Sequence, residues 1–409
     1  MSVNLLAGLS DNIVVDKDKC IYCNVCVETC ILDNLRMKLS PCRNACPLGV
    51  NCQGYVQLIA RGEEERALDL VRETLPFPGI LGRICSMPCE DACHRRETEG
   101  AAVAVRELKR YLGGLDGGGD FTPAMAAETG KKVAVIGSGP AGLMAAYELR
   151  KRGHTVTVFE EEAAPGGMLR WAIPEFRLPR DILESDLSVL DRMGIAILCG
   201  KAVGRDVPFD EVEKSHDAVI ITTGCTRSVT MEGMEDADGL HYGLPFLKGV
   251  RSGIPPKVGE KVVVIGGGNV AVDAAQTALR LGAGKVTMVC LEAEGDMPAF
   301  SGALEDARAE GIIFQPSWGN VSLRTENGVI SGVAFQRCLE VTCVDGIFNP
   351  VFDSCETLAL DADTVIVTIG QRPDDAAFNS AGLDMKKIKE IDRLTLQTDL
   401  EHILSLIHI

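Results

Sequence analysis

The sequence predicts an α/β chain with two units built on parallel sheets, preceded by a small α-helical module. Three observations predict this. A strand, glycine turn, helix and second strand follow one another twice, from Lys132 and from Lys261. Ten of the sixteen cysteines crowd between Cys20 and Cys93. A glycine-rich stretch, Gly113 to Gly119, then separates these cysteines from the first repeat and reads as a flexible linker.

Composition narrows the class. At about 150 residues per domain, 409 residues suggest two to four domains. Hydrophobic residues make up 46%, enough for sizeable cores. A formal charge of −17 without a basic run excludes nucleic acid as a partner. No apolar run reaches the ~18 residues of a membrane span, and the N-terminus lacks a signal pattern. A cytoplasmic setting is expected, so the cysteines are read as metal ligands rather than disulfides.

The chain opens with Cys20-x2-Cys23-x2-Cys26-x3-Cys30, the bacterial ferredoxin spacing for a [4Fe–4S] cluster. Zinc would more often need two separated pairs. Ile31 replaces the proline that usually follows this run. Cys42-x3-Cys46-Pro47 and Cys52 come next, then helical stretches at Gln53 to Arg61 and Glu63 to Thr74. Cys85-x3-Cys89-x3-Cys93 completes the set. Two cysteine groups flanking a helix pair suit a small module built around clusters.

Val133 to Ile136 is a short β-branched strand. Gly137 permits a tight turn, Gly139 admits a pyrophosphate to the backbone N–H groups, and Gly142 lets the helix pack close. Pro140 and Ala141 complete the fingerprint, and Ala146 and Gly153 continue the close packing. Glu160 ends the second strand, where its carboxylate can accept from an adenosine ribose. The second fingerprint runs Gly266-Gly-Gly268-Asn269-Val-Ala271, with Ala275 and Gly282 at the spacing of Ala146 and Gly153. Two such units mean two dinucleotides. The second strand here ends near Glu292, which would repel a 2′-phosphate and accept from free ribose hydroxyls.

Taken together, the Cys42-x3-Cys46-Pro47 and Leu75-Pro-Phe-Pro78 segments, Gly82-Arg-Ile-Cys85, Pro88-Cys89-Glu-x2-Cys93 and Val103 to Lys109 resemble the glutamate synthase small subunit family. That family includes the electron-input half of dihydropyrimidine dehydrogenases and the large subunit of NADH-dependent ferredoxin:NADP oxidoreductases. The resemblance runs from about Pro41 to about Ile403, with Cys20 to Cys30 as a ferredoxin-type extension. It implies a Rossmann-like flavoprotein with two dinucleotide-binding domains, FAD at the first fingerprint and NAD(H) or NADP(H) at the second. Arg is common in NADPH users of this family where Glu292 stands, so NADH is favoured. The resemblance further implies two to three [4Fe–4S] clusters, Cys42 and Cys93 sharing one and Cys46, Cys85 and Cys89 another. The family's Gln or Glu ligand falls at or near Lys109, with Glu107 a misregistered neighbour.

By the same resemblance, Gly166 and Gly167 lie along the FAD, and the Ile173 to Pro179 loop lies near its ring system. Gly224 ends the strand where the chain crosses to the second domain, and Gly370 marks the return. A helix is expected over Asp181 to Met193 and another over Ser301 to Glu310, followed by two or three strands. The domain reading is 1–40 ferredoxin-type, 41–120 helical iron–sulfur, 121–250 FAD, 251–360 NAD(P) and 361–403 a return to the FAD domain. Residues 404–409 resemble the translation of a sequencing adapter and are expected to stand outside the fold. The family's last FAD motif is missing after Ile403, which predicts weak flavin retention.

The expected activity is hydride transfer from NADH to FAD, then single electrons through the clusters to a partner subunit or ferredoxin in a hetero-oligomeric complex. The glutamate synthase large subunit is one possible acceptor. Hydride transfer needs no general base, so no catalytic residue is named. A non-catalytic iron–sulfur sensor or electron relay is the alternative.

Overall fold

The computed structural model describes residues 40–115, 121–231, 237–344, 347–374, 391–392 and 395–407. Cys20, Cys23, Cys26 and Cys30 lie outside the described residues. The chain divides into two units, Met1–Gly119 and Asp120–Ile409.

In the first unit the helices are α1 (Pro41–Ala45), α2 (Cys52–Ala60), α3 (Glu64–Arg72), α4 (Pro78–Ile84), α5 (Pro88–Asp91), α6 (Arg95–Glu99) and α7 (Val105–Leu115). Proline opens α1, α4 and α5, where its missing N–H has no intrahelical partner to lose. Asn51 caps α2 by accepting from the Gly54 N–H at 3.0 Å. Ala67, Leu68 and Val71 of α3 pack with Tyr55, Leu75 and Leu112 in a core that also takes in Cys52 and Cys89. The Tyr55 hydroxyl donates to the Val105 carbonyl at 2.9 Å.

One expectation is corrected here. Gly113 and Gly114 belong to α7 rather than to a linker. A Cβ on Gly113 would lie 2.6 Å from Gly79 Cα, and one on Gly82 would lie 2.5 Å from Arg110 Cα. The glycines let α4 and α7 touch backbone to backbone.

The second unit carries two parallel five-stranded sheets of matching layout. The first has the order β15-β4-β1-β2-β3, from β1 (Lys132–Ile136), β2 (Thr155–Phe159), β3 (Ala196–Leu198), β4 (Ala218–Ile221) and β15 (Ile403–Ser405). The second has the order β6-β13-β7-β8-β9, from β6 (Leu240–Tyr242), β7 (Lys261–Ile265), β8 (Lys285–Cys290), β9 (Ile313–Pro316) and β13 (Thr364–Val367). The central strands read as continuous apolar runs because both faces are covered.

Helix α8 (Pro140–Lys151) follows β1, and α13 (Asn269–Arg280) follows β7 at the same place. Between them lie α9 (Met168–Trp171), α10 (Arg180–Arg192), α11 (Phe209–Ser215) and α12 (Gly243–Arg251). Helices α12, α13 and α14 (Ser301–Ala309) share one core with the second sheet. The antiparallel strands β10 (Trp318–Glu326), β11 (Val329–Val344) and β12 (Ile347–Asp361) share the other, through Ile330, Val333 and Phe335.

The terminal segment also departs from expectation. Leu404 and Ser405 are part of β15 and pair with Ile220 and Ile221 of β4. Ile403 and Ser405 are fully buried, and Ile407 joins the same core. An extended apolar segment completes the open side of β4 whatever its origin.

Candidate functional site

The first glycine turn is fixed by steric contact. Gly137 has φ +100°, and a Cβ there would lie 2.6 Å from the Thr222 carbonyl oxygen. A Cβ on Gly142 would lie 2.0 Å from the Gly137 oxygen and 2.6 Å from Thr222 Oγ1. The Thr222 hydroxyl donates to the carbonyls of Ile136 at 2.9 Å and Gly137 at 2.8 Å, sewing β4 to the turn. A Cβ on Gly139 would meet nothing within 4 Å, so the turn is open on the ligand side. Pro140 and Ala141, exposed, begin α8, whose free N–H groups face that opening.

Gly166 and Gly167 close the turn from outside. Gly166 donates to the Ser138 carbonyl at 3.0 Å, and a Cβ on Gly167 would lie 2.7 Å from Gly139 Cα. Glu160 follows β2 and is only 5% exposed. It accepts from the Ser138 N–H and the Glu162 N–H, both at 2.8 Å, and from the Ser138 hydroxyl. Ser138 thus orients the acid that the strand-end position calls for.

The second turn repeats the first. Gly266, at φ +137°, would place a Cβ 2.6 Å from the Thr368 carbonyl, and the Thr368 hydroxyl donates to Ile265 at 2.7 Å. Gly268 is open on the ligand side, and Ala271 is fully buried. Asn269 Oδ1 accepts from the Phe300 N–H at 3.0 Å, and the Gly267 carbonyl accepts from Ala299 at 3.1 Å. Residues 297–300 therefore lie along the turn. Glu292 is half-buried, and its carboxylate would be 2.9 Å from a Cβ on Gly267. From Leu291 to Ala303 the chain has three acids, Glu292, Glu294 and Asp296, and no Lys or Arg. Burial first, then the Glu292 charge, pushes the Cys290 thiol up to about 12.

The crossings between the halves also match. Gly224 (φ +66°) and Gly370 (φ +133°) follow Thr222 and Thr368, and β5 (Arg227–Ser228) pairs antiparallel with β14 (Gln371–Arg372). The 173–180 loop grips the second half. Arg177 Nη1 donates to both carboxylate oxygens of Asp273 on α13 at 2.7 Å. The Arg280 guanidinium lies 3.9 Å from the centre of the Phe176 ring. Arg251 of α12 pairs with Glu175, and its carbonyl accepts from Arg180 at 2.9 Å.

Both turns fit a dinucleotide: each is open where the phosphates must approach and closed by contact elsewhere. Around the first, Thr223 Oγ1, Trp171 Nε1 and Arg170 Nη2 are buried without a hydrogen-bond partner, the chemistry a bound polar ligand would complete.

In the helical unit, Cys52 and Cys89 are buried and Cys42 and Cys46 half-buried beside them. A hydrogen bond from Cys52 and the nearby Lys109 ammonium draw the Cys89 thiol down to about 7, while the same contact and burial push the Cys52 thiol up. Cys85 and Cys93 are half-buried; Cys85 Sγ accepts from the Met87 N–H at 3.5 Å. Among the described residues no three His, Cys, Asp or Glu side chains close round a single ion. A four-iron cube holds its thiolates further apart than one ion does, and the gathered thiols suit that larger group in donor chemistry. Lys109 is buried, whereas Glu107 is exposed and paired with Arg106 and Arg110.

Sequence reasoning missed Ser138, Arg177 and Asp273 as site-building residues. Asp273 left one signal, a lone acid in the apolar run Val-Ala-Val-Asp-Ala-Ala.

Comparison with known proteins agrees with this architecture. Residues 131–404 match the family described as pyridine nucleotide-disulphide oxidoreductase. Residues 34–116 match dihydropyrimidine dehydrogenase domain II, 4Fe-4S cluster. The NADP(+)-dependent formate dehydrogenase subunit beta of Moorella thermoacetica is 34% identical over 392 residues, 88% of this chain and 55% of that one. The chain thus spans about half the length of this relative. The glutamate synthase [NADPH] small chain of Escherichia coli is 31% identical, covering 81% of this chain and 74% of its own. The fold is shared with FprA from Mycobacterium tuberculosis, at a TM-score of 0.55 and 18% identity over 67% of this chain and 78% of that one. No helix among the described residues is long and apolar enough to cross a membrane.

Proposed function

The chain belongs to the pyridine nucleotide-disulphide oxidoreductase family, in its glutamate synthase small-chain branch with an iron–sulfur domain ahead of it, and from this we propose an electron-input role for this oxidoreductase. When bound, the cofactors supply the chemistry: a nicotinamide gives a hydride to FAD, and its two electrons leave singly through [4Fe–4S] clusters while the proton goes to solvent. The observation that carries this reading is the pair of equivalent glycine turns, Gly137–Gly142 and Gly266–Ala271, on matching parallel sheets.

Each residue has a defined part. Gly139, Pro140, Ala141, Gly166 and Gly167 admit the FAD pyrophosphate, and Glu160 accepts from its ribose. Gly268, Asn269 and Ala271 receive the nicotinamide dinucleotide. Gly224 and Gly370 let the chain cross between the two sites. Cys42, Cys46, Cys52, Cys85, Cys89 and Cys93 hold clusters, with Cys20, Cys23, Cys26 and Cys30 adding the ferredoxin-type one. Iron and sulfide of about eight per chain would mean two clusters, and about twelve would mean three.

We favour NADH. Glu292 stands over the glycine turn in a segment with no cation, so a 2′-phosphate would meet carboxylates. Arg308, the nearby guanidinium, is already engaged by Glu294 at 3.0 Å. The names of the relatives point the other way, since both specify NADP or NADPH. The electrons pass to a partner subunit or ferredoxin; the words subunit beta and small chain in those names support a hetero-oligomer.

Anaerobic stopped-flow mixing of the flavin-loaded protein with each nucleotide tests both points. Rapid bleaching of flavin absorbance is expected, with a higher kcat/KM for NADH, and Glu292→Arg should shift the ratio toward NADPH. A bound flavin that neither nucleotide bleaches would end the proposal.

A further inference from the structure

We infer that Arg177 is a positioning residue: through Asp273 it straps the 173–180 loop of the first half to the helix that opens at the second glycine turn, and so sets how the two cofactors meet. This rests on the hydride-transfer reading above. The covalent connection between the halves is a two-stranded ribbon of two residues each, β5 and β14, which leaves rotation weakly opposed. The strap adds to the restraints made by Arg251 on the Arg170 carbonyl at 2.8 Å and by Lys248 on Glu162.

Its contacts are successive along the loop. Glu175 pairs with Arg251, Phe176 lies against Arg280, Arg177 holds Asp273, and Arg180 donates to the Arg251 carbonyl. Asp273 and Arg280 are seven residues apart on α13, two turns along one face. Glu310 holds Arg280 in turn, at 2.7 and 3.0 Å. Asp273 is 5% exposed, and the Arg177 side chain is 24% exposed. A buried pair of this kind adds little net stability over an apolar one but fixes one arrangement. Asp273 also lies four residues beyond Asn269, the first residue of α13. A shift of the loop is therefore passed directly to the second nucleotide site. Misplacement of reacting groups by about 1 Å can cost roughly 10²-fold in rate.

The test uses the flavin-loaded full chain with Arg177→Gln, Arg177→Lys and Asp273→Asn. Arg177→Gln and Asp273→Asn should each lower the limiting rate of flavin bleaching by about 10²-fold, with half-saturation by nucleotide within about threefold. Arg177→Lys should recover part of that rate, and flavin content should not change. Hydrogen exchange of the backbone amides at 175–178 should be faster in Arg177→Gln and Asp273→Asn than in the wild type. A pair that only stabilised the fold would lower the melting temperature and leave the limiting rate of loaded protein alone; that result overturns the inference, as does unchanged exchange. Failure of the wild-type flavin to bleach would strike the hydride-transfer reading instead, and the exchange measurement would then decide the strap by itself. If Arg177→Gln does not fold, the nearly isosteric Asp273→Asn carries the same expectations.

Discussion

Gly142 and Ala271 occupy the same place in the two nucleotide units, but the space around them differs. A Cβ on Gly142 would lie 2.0 Å from the Gly137 oxygen, while Ala271 carries its methyl fully buried. Gly142→Ala must push α8 away from the turn and should cost about 1–3 kcal/mol by overpacking. It should also lower flavin content. Ala271→Gly should cost about 1–2 kcal/mol, the penalty of glycine in a helix plus the loss of a buried methyl. Thermal denaturation and the flavin-to-protein absorbance ratio check both.

Tyr55 ties the start of the helical unit to its last helix. Tyr55→Phe removes the donor to the Val105 carbonyl and should destabilise this unit by about 1 kcal/mol. Denaturant midpoints of the wild type and variant, followed by far-ultraviolet circular dichroism, give the difference. Iron content should be measured alongside, because the phenol shares its core with the Cys52 and Cys89 thiols and is hydrogen-bonded to Cys52.

Cys290 is a pH prediction with a definite sign. The thiolate is the reactive form, and burial and Glu292 raise the thiol to about 12. Cys290 should therefore stay protonated and resist iodoacetamide at pH 7 through 9, while the exposed Cys355 is labelled. Peptide mapping by mass spectrometry distinguishes the two. Labelling of both at equal rates would contradict the burial argument.

Asp217 offers an acid-side test. Lys131 and the Lys132 N–H hold its carboxyl below the usual range. Its folded pKa is depressed, so its stabilising effect is complete above the unfolded pKa and fades as pH falls through the folded one. Melting temperatures of the wild type and Asp217→Asn should differ at pH 6 and converge as the pH drops below about 4. Asp363 makes the matching contacts in the second sheet, accepting from the Glu260 and Lys261 N–H groups at 2.9 Å.

Both fingerprints were legible because their parts lie within about thirty residues of one another. Strand, turn, helix and strand-end acid are local, and Glu160 and Gly268 follow from spacing, whereas Gly166 rested on the family resemblance. The strap was illegible because Arg177 and Asp273 are 96 residues apart and only the folded chain makes them neighbours. Gly113 was misread for a related reason. Glycine in a run signals flexibility to a reader of sequence, whereas here it marks where two helices touch. The burial of Lys109 beside Cys89 needed coordinates. Residues 404 and 405 were set aside for their resemblance to an adapter translation, yet an unpaired strand edge accepts an apolar extended segment.

The layout of the first sheet has a consequence for biosynthesis. Its outer strand, β15, is translated more than 180 residues after the β4 it lies against, and the whole second sheet is made in between. On the ribosome the second nucleotide unit can therefore close while the first still has an open side. The usual order, in which the earlier domain folds first, is reversed here. A chain ending after Val367 and released from the ribosome should already protect β7 and β8 from protease while leaving β4 open to attack.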